Sequence, residues 1–139
     1  MICSYISKDW EEFNLKENTE DYDIEGIRDV LGKFVDNAYS YKLVRNGKNL
    51  AIFGWLQTGK DIYYAYLLPS KEIDSNGLFV ARAMKKFLNN FIKAMTPSEI
   101  YTYSLETESL DRWRKFIGFE KFDKQILNNK EYFTWKYKF

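Results

Sequence analysis

The chain has 139 residues, of which 45% are hydrophobic and 19% aromatic, and it contains only two prolines. This composition excludes a disordered or low-complexity chain and predicts one compact domain over residues 1–139. Lysine and arginine total 21 against 20 acidic residues, so the net charge attracts neither nucleic acid nor an anionic membrane. We therefore expect neither of them as a partner.

The chain contains no histidine and a single cysteine, Cys3. The absence of histidine removes the commonest general base and the usual zinc ligand, and one cysteine excludes an intrachain disulfide. We expect no metal site, and any catalysis would depend on carboxylates, tyrosines, lysines or backbone groups.

No apolar run approaches the roughly 20 residues that span a bilayer, and the first ten residues lack the pattern of a signal peptide. A cytoplasmic protein is therefore expected.

The first third of the chain predicts one strand followed by two helices. Residues 2–6 form a short apolar strand, and Ser7 is a candidate cap for a helix that contains Trp10 and Phe13. After an acidic stretch, the apolar residues of 24–35 recur at helical spacing and predict a second amphipathic helix that ends near Ala38.

The middle of the chain predicts a three-stranded meander. Residues 39–45 and 49–56 flank Asn46-Gly47-Lys48, and Asn-Gly supplies the positive φ angles that tight hairpin turns require. Residues 62–68 form the third strand, whose nearly continuous tyrosine and leucine content is typical of a strand that is covered on both faces. We expect this strand at the centre of the sheet.

The last third predicts a long helix over 80–95, a strand over 100–105, a helix over 108–117 and two strands over 119–127 and 132–137. The full order is β-α-α-β-β-β-α-β-α-β-β. It predicts a mixed α/β fold with a central, partly antiparallel sheet of about seven strands.

The pattern predicts a helix that ends on Gly-Phe and continues directly into a strand. It is carried by the sequence Asp111-Arg112-Trp113-Arg114-Lys115-Phe116-Ile117-Gly118-Phe119. With the preceding strand, loop, helix and strand, it resembles the GNAT family of N-acetyltransferases. The predicted element order is similar to that family over essentially the whole chain. The resemblance implies a GNAT-like fold and, for an active member, acetyl-CoA or CoA as the cofactor.

The family binds the CoA pyrophosphate on backbone N–H groups at the start of the long helix, in a loop of pattern Gln/Arg-x-x-Gly-x-Gly/Ala. The same loop here contains Glu72, Ile73, Asp74, Ser75, Asn76 and Gly77, and only its last glycine matches. The loop is either a simple helix cap or a working CoA cradle, and its two carboxylates favour the cap because they would repel a pyrophosphate. The cofactor-binding residues that the resemblance implies are Leu67, Leu68, Ser75, Asn76, Gly77, Leu78 and Arg114.

Many family enzymes have a tyrosine four residues before the Gly-Phe pair, where it protonates the departing CoA thiolate. Arg114 holds that position here, and a guanidinium does not release a proton. Tyr101 and Tyr103 alternate onto one face of their strand and are candidate replacement acids, although core packing is the commoner reason for such alternation. Glu106 is the candidate base, with a solvated helix entrance as the alternative.

The second half of the chain is also similar to the GNAT-like internal virion proteins of short-tailed phages, through residues 62–68, 83–91, 100–104 and Phe116-Ile117-Gly118. That resemblance implies a protein partner, virion assembly or host interaction, in the host cytoplasm or the particle. Two functions therefore remain: a binding protein with a degenerate acyl-CoA site, or an active acetyl-CoA-dependent N-acyltransferase that modifies an amine.

Overall fold

The structure, a computed structural model, describes residues 1–13, 27–104, 108–127 and 129–139. In these ranges the elements follow the predicted order, with a short 3-10 turn (Asp74–Asn76) before the third helix. The helices are α1 (Ser7–Glu12), α2 (Ile27–Asn37), α3 (Gly77–Met95) and α4 (Glu108–Ile117). The strands are β1 (Ile2–Ser4), β2 (Tyr39–Arg45), β3 (Lys48–Gly59), β4 (Ile62–Pro69), β5 (Glu99–Ser104), β6 (Phe119–Leu127) and β7 (Lys130–Tyr137).

The strands form a seven-stranded sheet in the order β1-β2-β3-β4-β5-β7-β6. β4 pairs with β5 in parallel over three residues, Ile62 to Tyr64 against Glu99 to Tyr101. The pairs β1–β2, β2–β3, β5–β7 and β6–β7 are antiparallel. The predicted mixed α/β class, the partly antiparallel sheet and the central position of β4 are therefore confirmed.

The contacts of the chain divide it into two compact units. Unit 1 contains residues 1–56 and 66–80, and unit 2 contains residues 57–65 and 81–139. The expectation of a single domain over 1–139 stays a prediction.

The β2–β3 hairpin of unit 1 closes at the Asn-Gly pair that the sequence indicates. Asn46 has φ 52° and Gly47 has φ 75°, and Arg45 pairs with Lys48 across the turn. This is the left-handed backbone that a two-residue hairpin loop needs. The turn places Arg45 and Lys48 beside the loop that precedes α3.

The predicted cap of α1 is wrong by one residue. Ile6 is the N-cap, and its backbone N–H donates to Asp9 Oδ2 at 2.8 Å. Ser7 is instead the first helical residue, and its hydroxyl donates to Asp36 Oδ1 at 3.1 Å. Asp9 also accepts a hydrogen bond of 2.8 Å from Lys42 Nζ of β2. The carboxylate of Asp9, in the first turn of α1, thus caps the N-terminus of this helix. The hydrogen bond from Ser7 to Asp36 connects α1 to α2.

We expect Asp9→Asn to lower the free energy of unfolding at pH 7 by about 1 to 2 kcal/mol, because it removes a charge-assisted hydrogen bond from a half-buried lysine. Burial opposes the charge of Asp9, but the hydrogen bonds from Lys42 and the Ile6 N–H together lower its pKa below the ordinary 3.8. Because the pKa of Asp9 is lower in the folded than in the unfolded state, its ionised form stabilises the fold at every pH above the unfolded-state pKa. This contribution disappears as the pH falls through the folded-state pKa.

Urea denaturation at pH 7 and at pH 3 measures this difference. Glu12→Gln is the matched control, because Glu12 pairs with Lys8 at 3.9 Å with both side chains about 70% exposed. Such an exposed pair contributes little, so we expect a change near zero. An equal loss in both variants, or an Asp9→Asn loss that is no smaller at pH 3 than at pH 7, would contradict the assignment.

In unit 2 the buried residues lie on α3, β4, β5, β6 and β7. Tyr63 of β4 packs edge-on against Phe91 of α3, with ring centroids 5.1 Å apart. Trp135 of β7 has no exposed surface, and its indole Nε1 donates to Ser104 Oγ at 2.7 Å. Large aromatic side chains therefore make much of the core of this unit, as the 19% aromatic content predicts.

Several predicted boundaries differ from the observed ones. The first strand ends at Ser4 rather than residue 6, β3 continues to Gly59, and β7 begins at Lys130. The long helix begins at Gly77, three residues before the first buried position that defined its predicted face. The predicted helical residues 14–15 and 24–26, and the predicted strand end Leu105, lie outside the described residues.

Candidate functional site

The loop between β4 and α3 belongs to unit 1, and its backbone is hydrogen-bonded internally. The Ser70 N–H donates to the Leu50 carbonyl at 2.9 Å, which ties the start of the loop to β3. The Ile73 N–H then donates to the Ser70 carbonyl at 3.2 Å, and the Asn76 N–H donates to the Ile73 carbonyl at 3.0 Å. Two successive tight turns therefore lead into the first residue of α3, Gly77.

Two predicted cofactor residues use their side chains inside the same loop. Ser75 Oγ donates to the Glu72 carbonyl at 3.1 Å, and Asn76 Nδ2 donates to the same carbonyl at 3.0 Å. Gly77 has φ −54° and ψ −47°, an ordinary helical backbone that any residue adopts. The structure thus brings Ser75, Asn76 and Gly77 together, as predicted, and Ser75 and Asn76 close the loop on itself.

The leucines assigned to the cofactor have different surroundings. Leu68, near the end of β4, is buried, whereas Leu67 is half-buried. Leu78, in the first turn of α3, has 61% of its surface exposed. Leu68 therefore belongs to the core, and Leu78 is the one of the three that offers an apolar surface to a ligand.

Two basic residues that the sequence analysis did not assign lie against this loop. Arg45 Nη1 donates to Asn76 Oδ1 at 3.1 Å, and its guanidinium lies 4.6 Å from the ring centroid of Phe79. Lys48 Nζ lies 3.4 Å from Glu72 Oε1. These cations offset part of the negative charge of the loop. The signal that could have found them is the Asn-Gly turn, because the basic residues on either side of it share one end of the hairpin.

The predicted catalytic tyrosines belong to unit 2 and form a cluster with Tyr64 of β4. The three ring centroids lie 5.5 to 5.6 Å apart. The Tyr101 hydroxyl donates to Thr58 Oγ1 at 3.2 Å, and Tyr103 has 39% of its surface exposed. Burial raises the pKa of Tyr103, and the neighbouring Tyr101 and Glu99 act in the same direction. Tyr103 therefore keeps its proton at physiological pH. Glu106, the candidate base, lies outside the described residues.

Arg114 lies in unit 2 beside a carboxylate of its own helix. Its Nη1 lies 3.8 Å from Asp111 Oδ1, and its guanidinium carbon lies 5.7 Å from the ring centroid of Trp135. Lys121 Nζ of β6 lies 3.5 Å from Asp111 Oδ2. Asp111 thus holds two cations over the face of a buried tryptophan. Its spacing of three residues before Arg114 on a helix is the sequence signal that could have indicated the pair.

Gly118, which ends α4, has a backbone that favours glycine. Its φ is +124°, and a Cβ at this position would lie 2.7 Å from the ring of Tyr137. The Gly118 N–H donates to the Arg114 carbonyl at 3.1 Å, and the Gly118 carbonyl accepts from the Lys138 N–H at 2.9 Å. The Gly-Phe pair therefore has a structural reason in this chain: it turns α4 directly into β6.

Within the described parts of the chain, no group of three or more cysteine, aspartate or glutamate residues is arranged to hold a metal ion. In the same parts, none of the helices is long and apolar enough to cross a bilayer.

No protein-family model and no curated protein sequence matches this chain. Solved structures do match it. A GNAT-family acetyltransferase from Bacillus anthracis is similar with a TM-score of 0.70 and 16% identity, over 97% of this chain and 92% of that one. An IAA acetyltransferase from Bacillus cereus has a TM-score of 0.67 and 12% identity, over 100% and 99%. A variant of spermidine N-acetyltransferase from Vibrio cholerae has a TM-score of 0.68 and 11% identity, over 99% and 94%.

The chain has the GNAT fold. Identities of 11 to 16% establish the fold alone, so the substrates of these proteins do not transfer to this chain. The GNAT resemblance that Gly118 and Phe119 indicate is confirmed at the level of fold. The similarity to internal virion proteins of short-tailed phages stays a prediction, as do the assignments of individual site residues.

Proposed function

We propose that this GNAT-fold protein has a degenerate acyl-CoA site and works by binding a partner rather than by transferring an acetyl group. The observation that carries the proposal is the closed β4–α3 loop. A pyrophosphate cradle needs backbone N–H groups that point to the ligand. Here the N–H groups of Ile73 and Asn76 donate to carbonyls of the loop, and the side chains of Ser75 and Asn76 donate to the Glu72 carbonyl.

The charges of the loop support the same proposal. Glu72 and Asp74 place two carboxylates where the diphosphate of CoA would bind, and Lys48 already pairs with one of them. Arg114 supports it independently, because its guanidinium holds the position of the usual acid and is paired with Asp111. A permanently protonated guanidinium cannot donate a proton to a CoA thiolate.

The alternative is an acetyl-CoA-dependent N-acyltransferase, and Tyr103 is the observation that favours it. Its ring is partly exposed, so its protonated hydroxyl is accessible, as a general acid requires. In that reaction a neutral amine attacks the thioester carbonyl, and its nitrogen releases a proton to water. The C–S bond then breaks, and the departing CoA sulfur takes a proton from tyrosine, which regains one from water. The N-terminus of α3, with Gly77 and Leu78, would then hold the pyrophosphate.

Isothermal titration of the purified protein with acetyl-CoA and, separately, with CoA distinguishes the two functions. The proposal predicts no heat and no thermal shift at millimolar ligand. One-to-one binding with a micromolar Kd would contradict it, and would justify a screen of amine acceptors with Tyr103→Phe as the catalytic control. The titration should include a GNAT enzyme of known CoA affinity as a positive control for the ligand.

A charge reversal at Glu72 tests whether a remnant of the cradle survives. If a remnant of the cradle exists, Glu72→Arg should raise the affinity for CoA about tenfold, because it removes a repulsive charge, adds an attractive one and releases Lys48. Titration calorimetry or competition with a fluorescent CoA analogue measures the change. Glu120→Arg is the matched control, since Glu120 is an exposed carboxylate of β6. Equal affinities for CoA in both variants would count against any anion site at this loop.

The binding role that we propose includes the virion or host-interaction role that the resemblance to phage proteins implies. The three solved structures described above are acetyltransferases and give no support to that setting. Its support is the sequence similarity of residues 62–68, 83–91 and 100–104. Where the encoding genome is viral, mass spectrometry of purified mature particles would detect the protein if it is a virion component.

A further inference from the structure

The exposed face of α3 is basic along its whole length in unit 2. Arg82, Lys86 and Lys93 recur at intervals of four and seven residues and therefore share one side of the helix, with Lys85 next to them. All four are exposed, whereas Met84, Leu88 and Phe91 on the opposite side are buried. The helix contains no acidic residue in 19 positions. No carboxylate of α3 therefore neutralises this stripe.

α4 extends the basic surface. Lys85 Nζ of α3 lies 4.7 Å from the ring centroid of Phe116 of α4, so the two helices meet at this contact. Phe116 has 44% of its surface exposed, and Arg112, four residues earlier on the same side of α4, is also exposed. The acidic residue Asp111 is engaged by Arg114 and Lys121. We define the basic surface by Arg82, Lys85, Lys86, Lys93 and Arg112.

The net charge of the chain does not indicate the basic surface, because the charges are unevenly distributed along the sequence. Residues 77–139 contain twelve lysines and arginines against seven acidic residues, whereas residues 1–36 contain four against ten. The two ends of the sequence nearly cancel, which leaves the total of +1. A partner meets the local field within about 8 to 10 Å at ordinary ionic strength, so the local distribution decides binding.

We propose that the basic surface binds the phosphate backbone of a nucleic acid without base specificity. From Arg82 to Lys93 the α3 stripe is about 16 Å long, at roughly 1.5 Å per residue. At roughly 3.4 Å per nucleotide along one strand, that length faces about five phosphates. The cations of the stripe therefore extend over the same length as about five consecutive phosphates of one nucleic acid strand. The proposal does not depend on whether the chain binds CoA.

The composition of the surface favours nucleic acid over an acidic protein segment. Protein interfaces concentrate aromatic residues in a desolvated centre and are depleted of lysine. Three of the five cations of this surface are lysines and two are arginines. Its neighbours are the exposed asparagines Asn89 and Asn90 and one partly exposed aromatic residue, Phe116. Lysines that remain hydrated and release counterions from phosphates contribute to binding without such a centre. Asparagine amides are common donors to phosphate oxygens.

Fluorescence anisotropy of the full chain with labelled 20-nucleotide single-stranded DNA and 20-base-pair duplex DNA tests the proposal. We expect a micromolar Kd at 50 mM salt and about 500-fold weaker binding of the duplex at 200 mM, for about five neutralised phosphates. Lys85→Glu/Lys86→Glu should weaken binding at least tenfold. The neutral variant Lys85→Gln/Lys86→Gln should weaken it less and should reduce the salt slope by about 2.

Lys33→Glu/Lys60→Glu is the matched control, because it changes the net charge equally at exposed residues of α2 and of the turn between β3 and β4. It should retain DNA binding within about threefold. No binding at 50 mM salt, or equal losses in the control and the α3 variants, would overturn the proposal. Tighter binding of a polyglutamate of equal length, with the same loss in the α3 variants, would also overturn it and assign the surface to an acidic protein segment.

Discussion

Trp135→Ala is expected to lower the free energy of unfolding by about 4 kcal/mol, which is typical of removing a fully buried large aromatic side chain. Trp135 has no exposed surface, and its Nε1 donates to the buried Ser104 hydroxyl at 2.7 Å. Its face also carries Arg114 and Lys121, at 5.7 and 5.3 Å from the ring centroid. Truncation therefore leaves a cavity, an unpaired hydroxyl and the Arg114 guanidinium without this aromatic contact, whereas Lys121 keeps its contact with the Phe133 ring at 4.1 Å. Denaturant unfolding of both proteins measures the loss.

Two further variants separate the volume of the ring from its hydrogen bond. Trp135→Phe retains most of the packing and loses the bond to Ser104, so we expect a loss of about 2 kcal/mol. Ser104→Ala removes the same hydrogen bond from the other side and should lose about 1 to 2 kcal/mol. If Trp135→Phe were as unstable as Trp135→Ala, cavity formation would not be the dominant effect. If Trp135→Ala lost under 2 kcal/mol, the described core of unit 2 would be incorrect.

Gly118→Ala should lower the free energy of unfolding by about 2 to 3 kcal/mol, which is less than the loss expected for Trp135→Ala. The backbone at Gly118 has φ +124°, which side-chain-bearing residues rarely adopt, and the new methyl would meet the Tyr137 ring at 2.7 Å. Tyr137 is itself packed edge-on against Phe119, with centroids 5.7 Å apart, so its ring would have to leave that contact. Thermal and urea unfolding measure the effect on stability.

Gly47→Ala is the matched control for Gly118→Ala, because it separates backbone strain from the steric contact. Gly47 also has a positive φ, +75°, but a Cβ there would meet no atom within 4 Å. We expect a loss of about 1 kcal/mol. Equal losses at the two glycines would show that the contact with Tyr137 adds nothing. A neutral Gly118→Ala would contradict the described passage from α4 into β6.

How far each site residue could be predicted depended on whether its role is local. Gly118 ends a helix and Asn46-Gly47 closes a hairpin because of backbone angles that the residue type itself permits, so both were recognisable from sequence. Ser7 was assigned as a cap for the same local reason, and that prediction was wrong because the N-cap is Ile6 and the Ser7 hydroxyl donates to Asp36, 29 positions away.

The surroundings of the site could not be predicted, because they depend on residues that are far apart in sequence. Arg45 meets Asn76 across 31 positions, and Tyr101 reaches Thr58 across 43. Neither contact follows from hydrophobic periodicity. The periodicity of a helix or strand indicates which of its faces a residue occupies, but it does not indicate which other element packs against that face. The closed form of the β4–α3 loop was also inaccessible, because Ser75 and Asn76 have several hydrogen-bonding choices that only the surrounding geometry selects.

The sequence by itself determined the number, type and order of the elements, because hydrophobic periodicity and turn residues act over a few positions. It also determined that β4 is central, because a strand covered on both faces must be apolar throughout. Tertiary structure alone decided that β7 lies between β5 and β6, that Asp111 engages Arg114 and Lys121, and that the cations of α3 and α4 form one surface. These arrangements depend on which elements pack together, and packing is decided by the whole chain rather than by any one segment.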